Sequence, residues 1–592
     1  MCGIVGYIGK KNGAEVVVDG LKRLEYRGYD SWGLAAKKNN KIISHKQVGK
    51  IGGFDLKKDL PKFSGTTCIG HTRWATHGGV TKANSHPHFS CDKKIAVVHN
   101  GIVENYQRLK EVLQKKGHKF VSQTDTEVIA HLIEQELKSK KFTEAVRSAL
   151  KKVEGSFAVA IINEKENKMI GARKGSPLVL GIGKGEFVLG SDVPAFLKYT
   201  DKVVFLDENG IVEIDGRRST YHITDIKSGK TIKPKVTKIT WSLAEAEKGG
   251  HPHFMIKEML EQPQVIEKTI GIDERELKTA AQMIKRAKNI YVVACGTALH
   301  AGIYGSYLLS TQNNLMLQPI SAGEFPYFGH LIKKDDLVIT VSQSGETADV
   351  LEAVRSAHKS GAKVLALVNV LGSSLMRMAD YSLLTKAGPE ICVLSTKAYT
   401  SQLAMFAMLA GTLSGNLRQI KKDLEKAKED VAKILQKQNL EKIKKTAKKL
   451  SNADNIYALG RGINFPNALE SCLKIKEVSY IHAEGFAGGD LKHGPIALIE
   501  KSVPVLVFAT DDESEPEIIS NATEVKARGA EVIGFSYRNN QVFDQYFPIA
   551  KNGLIAPLAS IVYPQLMAYY IALEKKLDPD KPRNLAKSVT VK

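Results

Sequence analysis

The chain has 592 residues, and 85 Lys and Arg against 63 Asp and Glu give a formal net charge of +22. Hydrophobic residues make up 43% and charged residues 25% of the chain, which excludes wholesale disorder and a fibrous repeat. The length predicts about four globular units. None of the six cysteines forms a C-x-x-C pair, so we expect no zinc ribbon, a reducing compartment and a cytoplasmic protein.

The N-terminal half predicts an α+β domain. Pairs of short apolar runs, such as 158–162 with 169–173, are typical of antiparallel sheets. We assign residues 2–240 to this domain and residues 241–279 to a linker and connecting helix, because Gly249 and Gly250 interrupt the pattern there. No basic region followed by an apolar run stands at the N-terminus, so no secretory signal is predicted.

Four polar motifs of this half predict a pocket for an amino acid. Loss of Met1 would leave Cys2 with a thiol and a free α-amine of pKa about 7.7–8.0, which can serve as its general base. Arg73 suits a carboxylate through its two-pronged donors, and Asp125 suits an ammonium. Asn100 with the N–H of Gly101 suits an oxyanion. Together they fit a free α-amino acid whose side-chain carbonyl a thiolate attacks.

Several histidines of the same half could instead suggest a metal site: His71, His77, His86, His88 and His99. The segment 86–88, His-Pro-His, predicts a stiff turn, and no carboxylate cluster accompanies these residues. We therefore expect neither a metal nor another cofactor.

The second half contains an internal repeat. Residues 289–293 (NIYVV) recur as 455–459 (NIYAL), and 360–364 (SGAKV) recur as 528–532 (RGAEV). Predicted strands at 337–341 and 364–368 correspond to 503–508 and 532–535, and helices lie between them. Such alternation predicts a doubly wound parallel sheet in each copy. The predicted α/β domains are 280–420 and 453–580, with a basic helical connector at 421–452 and a tail at 581–592.

The first copy carries a candidate phosphate loop, SQSGET, after a predicted strand and before a helix that starts at Ala348. The hydroxyls of Ser342, Ser344 and Thr347 would meet the positive end of that helix. A helix cap alone needs only one hydroxyl. The second copy has ATDDES at 509–514, and its carboxylates would repel phosphate, so we expect one phosphate site per chain.

Two other segments bear on partners. The lysine-rich segment 417–450 contains interspersed acidic residues and no stacking aromatics, which predicts a solvated helical face or linker and no nucleic-acid binding. The uncharged stretch 552–573 has the length of a membrane span, but its prolines and tyrosines favour a buried core or subunit-interface helix. We expect anionic small substrates to use the positive charge.

The motifs MCGIVGYIG, LEYRGYDS, GHTRWATHG, HNGIVEN and TDTE resemble class II, N-terminal-nucleophile glutamine amidotransferases, and the repeat with SQSGET resembles sugar isomerase domains. Their combination, with the ending PRNLAKSVTVK, resembles the glutamine–fructose-6-phosphate aminotransferase (isomerizing) family over essentially the whole chain. The resemblance implies an N-terminal-nucleophile glutaminase of layered antiparallel sheets with helices, followed by two doubly wound α/β sugar isomerase domains.

The same resemblance implies a cofactor-free enzyme of hexosamine synthesis. It would pass ammonia from glutamine through an internal channel to fructose 6-phosphate, forming glucosamine 6-phosphate and glutamate. A homodimer with a shared isomerase site is implied as well.

The resemblance also implies residue roles. Cys2 is the nucleophile, in a glutamine site of Arg73, Trp74, Thr76, His77, Asn100, Gly101 and Asp125. The sugar-phosphate site has Ser342, Gln343, Ser344, Thr347 and Ser395. In the isomerase site, Glu477 moves the proton with Lys474 beside it, His493 of the neighbouring subunit opens the ring, and Lys587 forms the Schiff base. On spacing alone, Lys474 and Glu477 could be an ordinary helical ion pair and Lys587 a solvated tail lysine.

Three alternatives remain at this stage. Amidophosphoribosyltransferases and asparagine synthetases share the glutaminase front end. The former have paired acidic residues before G-T-T, a continuation that Asp511-Asp512 lacks, and the latter need a pyrophosphate loop, which we do not find. A sugar-phosphate-sensing module would need SQSGET but has no use for Cys2, Glu477, His493 and Lys587 together. An enzyme is favoured.

Overall fold

A computed structural model describes residues 2–61, 63–239, 245 and 247–590. The chain forms two compact units, an N-terminal unit (1–246 with 586–592) and an isomerase-repeat unit (247–585). Residues 241–244 and 246 of the predicted linker lie outside the described residues.

The N-terminal unit contains two antiparallel sheets, with strand orders β14-β11-β9-β10-β1-β4-β2-β3 and β13-β12-β8-β7-β6-β5. The strands are β1 (Gly3–Ile8), β2 (Ser31–Lys38), β3 (Lys41–Val48), β4 (Thr67–Arg73), β5 (His88–Phe89), β6 (Ile95–Val103), β7 (Gly155–Asn163), β8 (Lys168–Lys174), β9 (Val179–Ile182), β10 (Phe187–Gly190), β11 (Lys202–Phe205), β12 (Gly210–Asp215), β13 (Thr220–Asp225) and β14 (Thr237–Lys238). The helices are α1 (Gly13–Arg23), α2 (Leu56–Asp59), α3 (Tyr106–Lys115), α4 (Glu127–Glu136) and α5 (Phe142–Leu150). The predicted pairing of 158–162 with 169–173 is confirmed, with Ile162 opposite Met169.

Alternation along β6 explains the layering of this unit. Ala96 and Val98 face a core shared with the other sheet, to which Ile4 and Ile69 contribute. Val97 faces the opposite side, where it packs with apolar residues of α3, α4 and α5. Successive strand residues point to opposite faces, so one strand serves both cores. The predicted layers of antiparallel sheets and helices are confirmed.

The isomerase-repeat unit contains two five-stranded sheets. Its strands are β15 (Ile290–Ala294), β16 (Leu317–Ser321), β17 (Leu337–Ser342), β18 (Lys363–Val368), β19 (Tyr381–Leu384), β20 (Asn455–Gly460), β21 (His482–Ala487), β22 (Pro504–Ala509), β23 (Glu531–Ser536) and β24 (Gln545–Pro548). Its helices are α6 (Phe254–Leu260), α7 (Gln262–Ile270), α8 (Glu274–Arg286), α9 (Thr297–Asn313), α10 (Phe325–Phe328), α11 (Ala348–Lys359), α12 (Ser374–Met378), α13 (Lys397–Ser414), α14 (Leu417–Ile434), α15 (Lys437–Leu450), α16 (Phe465–Ser479), α17 (Glu515–Lys526), α18 (Pro557–Ser560) and α19 (Val562–Glu574).

The repeat is confirmed in the topology. Both sheets are parallel throughout, and the orders β16-β15-β17-β18-β19 and β21-β20-β22-β23-β24 are equivalent. Gly296 and Gly462 occupy matching turns with φ of 52° and 51°, a backbone region that favours glycine. In such sheets, ligands bind beyond the carboxyl ends of the strands where the order reverses, here beside β15 and β17 in the first copy.

One continuous apolar core joins the two copies and includes residues of α9, α13, α16 and α19. The basic segment is helical, as predicted, and forms α14 and α15. Its inner face is buried in this same core through Leu424, Val431 and Ile443. The apolar segment Gly553–Glu574 has the length and composition of a membrane span, but most of it is buried inside the unit, as predicted for a core helix.

Leu424→Ala tests the contribution of α14 to this core. Leu424 is fully buried, so its truncation should lower the free energy of unfolding of this unit by roughly 2–5 kcal/mol. Thermal and urea unfolding measure the effect. Lys422→Ala, at an exposed position of the same helix, is the control and should leave the unfolding midpoint unchanged. Equal free energies of unfolding for the two variants would contradict the packing role of α14.

Candidate active site

Cys2 immediately precedes β1, and two hydrogen bonds fix its position. Its Sγ accepts a hydrogen bond from the Trp74 N–H at 3.2 Å, and its carbonyl accepts one from Asn100 Nδ2 at 2.9 Å. The antiparallel pairing of β1 with β4 places Gly3 opposite Thr72, which brings the thiol to the end of β4. Burial raises the pKa of the Cys2 thiol, and the Trp74 N–H and the charge of Arg73 oppose that shift.

Arg73, at the end of β4, is buried against backbone carbonyls. Its guanidinium donates to the carbonyl oxygens of His77 (2.5 Å), Gly78 (3.1 Å) and Gly79 (3.1 Å). It forms no ion pair with an acidic residue that the structure describes. Burial lowers the pKa of Arg73, against the opposing charges of Asp30 and Asp125. A desolvated guanidinium without a carboxylate partner can bind a substrate carboxylate strongly.

Asn100 and Asp125 are fixed by hydrogen bonds on the same side of the unit. Asn100 Nδ2 also donates to Ser191 Oγ at 2.9 Å, and Asn100 Oδ1 accepts from His71 Nε2 at 3.0 Å. Burial lowers the pKa of His71 to about 3, so His71 is neutral and orients the amide. The buried carboxylate of Asp125 accepts from the Val103 N–H at 2.8 Å.

The remaining residues of the predicted glutamine site lie in the segment 74–77 and on β6. Trp74 is partly buried and packs edge-on against Tyr29, with ring centroids 5.4 Å apart. His77 packs against the Tyr106 ring at 5.5 Å, and Thr76 is exposed. Gly101 has φ +128°, and a Cβ there would lie 2.1 Å from the Ser156 carbonyl oxygen, so only glycine fits.

The predicted phosphate loop joins the end of β17 to α11. Gly345 has φ +64°, and a Cβ on it would lie 2.2 Å from Ser373 Oγ. Ser342 Oγ accepts from the Gly345 N–H at 3.0 Å, and Ser344 Oγ accepts from the Glu346 N–H at 3.2 Å. Thr347 is the N-cap residue of α11, yet its hydroxyl makes no capping hydrogen bond. The hydroxyl of Thr347 is therefore not needed by the helix, which favours the ligand-binding interpretation.

The matching loop of the second copy uses its polar atoms internally. Asp512 accepts from Asn464 Nδ2 at 2.8 Å and from the Ser514 N–H at 2.8 Å. Asp511 accepts from the backbone N–H groups of Asn552 (3.0 Å) and Gly553 (2.9 Å). These carboxylates stabilise the fold where the first copy presents hydroxyls.

Lys474 on α16 lies at the contact between the two copies and is fully buried. Its Nζ is 2.5 Å from Glu477 Oε2, 3.4 Å from Glu470 Oε1 and 3.1 Å from Thr297 Oγ1 of α9. Burial alone would lower the pKa of Lys474, but the two carboxylates raise it above the ordinary value. Glu470 also accepts from Thr297 (3.0 Å) and contacts His300 Nδ1 (2.7 Å).

The other predicted isomerase residues lie on separate segments. Ser395 Oγ donates to Glu390 at 3.0 Å in the loop before α13, and Gln343 is partly buried. His493 is exposed in the segment after β21 and makes no hydrogen bond or ion pair with the described residues. Lys587 is partly exposed in the tail, whose residues 586–592 group with the N-terminal unit.

Sequence reasoning missed several residues of these clusters: Ser191, Asp30, Thr297, His300 and Glu470. Glu470, Lys474 and Glu477 have the i, i+4, i+7 spacing of one helix face, a signal that could have identified Glu470. The contacts of Ser191 with Asn100 and with the Ile4 N–H span more than 90 residues and leave no local pattern.

Comparison with known proteins agrees with this arrangement. Residues 71–198 match the glutamine amidotransferase domain family, and residues 283–411 and 449–575 each match the SIS domain family. The glutamine–fructose-6-phosphate aminotransferases (isomerizing) of Thermococcus kodakarensis and Methanothermobacter thermautotrophicus are 46% and 44% identical, over the full length of both chains in each case. The solved C-terminal domain of the glucosamine-fructose-6-phosphate aminotransferase from Francisella tularensis is 32% identical, covers 56% of this chain and 99% of its own, and has a TM-score of 0.53.

Fold and site thus define a protein with a glutamine amidotransferase domain followed by two SIS domains. The chain belongs to the glutamine–fructose-6-phosphate aminotransferase (isomerizing) family.

Lys474→Met tests the buried charge cluster. Removing the buried ammonium takes away the cation that Glu470 and Glu477 share, which should cost about 3–5 kcal/mol of stability near pH 8. In the native chain the raised pKa of Lys474 adds stability that is fully present below its unfolded pKa of about 10.4 and is lost only as the pH rises through its folded pKa. Buried carboxylates that lack a counter-ion take up protons more readily than exposed ones, so acidic pH should reduce the deficit of the variant.

The free energy of unfolding of the variant and of the native chain, measured at several pH values, gives this deficit as a function of pH. Lys476→Met, on the exposed side of α16, is the matched control. A deficit that stays constant from neutral to acidic pH would contradict the charge argument.

Proposed function

We propose that this chain is a glutamine-dependent aminotransferase that converts fructose 6-phosphate to glucosamine 6-phosphate. Glutamine would be hydrolysed in the N-terminal unit, and its ammonia passed internally to the ketose in the isomerase-repeat unit. The observation that carries the proposal is the buried Arg73 guanidinium, one residue before the Trp74 N–H that donates to the Cys2 thiol. It donates to backbone carbonyls and forms no ion pair with an acidic residue among the described residues.

In the proposed glutaminase step, the Cys2 thiolate attacks the side-chain amide carbon of glutamine. The free α-amine of Cys2, exposed by loss of Met1, takes the thiol proton and delivers it to the leaving ammonia. Arg73 binds the substrate carboxylate and Asp125 its ammonium. Asn100 and Gly101 stabilise the oxyanion. Water then hydrolyses the thioester and releases glutamate.

In the proposed isomerase step, the loop 342–347 and Ser395 hold the phosphate, and His493 opens the sugar ring. Lys587 forms an imine with the ketose carbonyl, and ammonia displaces it at C2. Glu477 then takes a proton from C1 and returns one to C2, which converts the ketose imine to the amino aldose. Lys474, at 2.5 Å from Glu477 Oε2, keeps that carboxylate in place.

Amide-¹⁵N glutamine tests the combined reaction. Purified protein with fructose 6-phosphate should give ¹⁵N-glucosamine 6-phosphate by mass spectrometry, and the label should persist against excess unlabelled ammonium if ammonia is channelled. Cys2→Ala should abolish glutamine-dependent product while ammonium salts still support synthesis, because that variant loses only the nucleophile.

Two outcomes would overturn parts of the proposal. Glutamate without amino sugar would keep the glutaminase and remove the synthase assignment. No turnover by protein lacking Met1 would favour a sugar-phosphate-sensing module.

We also propose a cytoplasmic homodimer in which the partner supplies His493. The exposure of His493, which makes no hydrogen bond or ion pair with the described residues, supports a shared site. All six cysteines are free thiols, which supports a reducing compartment.

Mixing two inactive variants tests the shared site. His493→Ala and Glu477→Gln homodimers should each be inactive in synthesis but retain glutaminase activity at Cys2. After subunit exchange, about one isomerase site in four should be intact, because each mixed dimer has one site free of both substitutions. Synthesis that stays at the level of the separate variants would contradict sharing, provided native gels show mixed dimers.

A further inference from the structure

A cluster of four metal-ligating residues lies in the N-terminal unit, apart from the proposed glutamine site. Cys91 is on the turn between β5 and β6, and His118 is on the segment between α3 and α4. His131 and Glu134 are on one face of α4. One ligand atom from each lies within 4.8 Å of the other three, and no other such group occurs in the part of the chain that the structure describes.

In four of the six pairs, the spacing of the donor atoms is close to that of ligands on a tetrahedral metal ion. Cys91 Sγ is 3.7 Å from His118 Nδ1 and 3.6 Å from His131 Nδ1. Glu134 Oε2 is 2.9 Å and 3.1 Å from the same two nitrogens. A tetrahedral Zn²⁺ with bonds of about 2.3 Å to sulfur and about 2.0–2.1 Å to nitrogen and oxygen separates sulfur from nitrogen by about 3.6 Å and nitrogen from oxygen by about 3.3 Å.

The opposite nitrogen of each imidazole faces an oxygen. His118 Nε2 is 3.2 Å from Gln135 Oε1, which also accepts from Lys138 Nζ at 3.0 Å. His131 Nε2 is 3.6 Å from the carboxylate of Glu127. In the tautomer with the proton on Nε2, which a bound metal ion selects, each Nδ1 points a lone pair into the cluster. Histidine ligands of metals are oriented in this way by carboxylate or carbonyl oxygens.

Without a metal ion, a single oxygen, Glu134 Oε2, would have to accept from three N–H groups. These are His118 Nδ1 at 2.9 Å, His131 Nδ1 at 3.1 Å and the backbone N–H of Cys91 at 3.1 Å. A divalent cation bound by a thiolate and a carboxylate would leave the cluster neutral. The Lys119 N–H donates to Cys91 Sγ at 3.4 Å, a contact that favours the thiolate.

We propose that Cys91, His118, His131 and Glu134 bind a structural Zn²⁺ ion. Four protein ligands leave no open position for substrate, which is typical of a structural site, and a thiolate with two imidazoles favours zinc over Mg²⁺ or Ca²⁺. The ion would tie the turn before β6 to α4. Asn100 lies on β6, and Asp125 lies two residues before α4, so the zinc would stabilise the scaffold of the proposed glutamine site without contacting the substrate.

Metal analysis of the purified full-length protein tests the proposal. About one zinc per chain is expected, and its removal by a chelator should lower the melting temperature of the N-terminal unit; Zn²⁺ should restore it and Mg²⁺ should not. Cys91→Ser and Glu134→Gln should lose the zinc. Gln135→Leu, which removes an orienting oxygen, should weaken zinc affinity about 10- to 100-fold. His222→Asn, an exposed histidine on β13, is the control and should keep the metal.

Cobalt substitution supplies a readout that needs no variant. Co²⁺ added to metal-free native protein should give a thiolate-to-cobalt charge-transfer band, which Zn²⁺ should displace and Cys91→Ser should lack. Native protein that is purified without zinc, binds none on titration and shows no cobalt band would overturn the proposal. Full zinc occupancy in both Cys91→Ser and Glu134→Gln would overturn it as well.

Discussion

The ammonium of Lys474 lies where the two copies of the isomerase repeat meet, out of contact with solvent, and its neighbours come from both copies. Thr297 at the start of α9 contacts it from one copy, and Glu470 and Glu477 of α16 from its own. A buried charge is tolerated only when opposite charge and hydrogen bonds surround it. Packing of α9 against α16 therefore has to place these groups together, which also sets the carboxylate of Glu477 at the proposed site of proton transfer.

The same physical rule applies to Arg73 in the N-terminal unit, with a different outcome. Its guanidinium is buried and donates hydrogen bonds to three carbonyl oxygens of the segment 77–79. These bonds satisfy part of its donors, but carbonyl oxygens do not neutralise its charge. Lys474 forms ion pairs within the protein, whereas Arg73 forms none with the described acidic residues. The first arrangement holds a charged group rigidly in place, and the second suits the binding of an anion.

Local patterns were sufficient for the fold but only partly for the sites. Period-two alternation and the repeated NIYVV and NIYAL segments predicted both kinds of sheet, because strand and helix periods are recorded in neighbouring residues. The phosphate loop was also local. Contacts such as Asn100 with Ser191, or Cys91 with His131, join residues 91 and 40 positions apart, and no spacing rule records them. The basic segment was predicted as a solvated face or linker; its buried inner face depends on packing with α7 and α19.

The continuous core between the two isomerase copies has a consequence for how the copies could diverge. If each copy were a separate chain, the two would have to associate in solution. If those chains were identical, both would also carry the same loops. Covalent linkage makes the pairing intramolecular and independent of protein concentration. It also lets each half specialise, so that Asp511 and Asp512 could become structural in one half while the other kept its hydroxyl-rich loop. The two copies thus share one fold, and because they are joined in a single chain, their loops can differ in function.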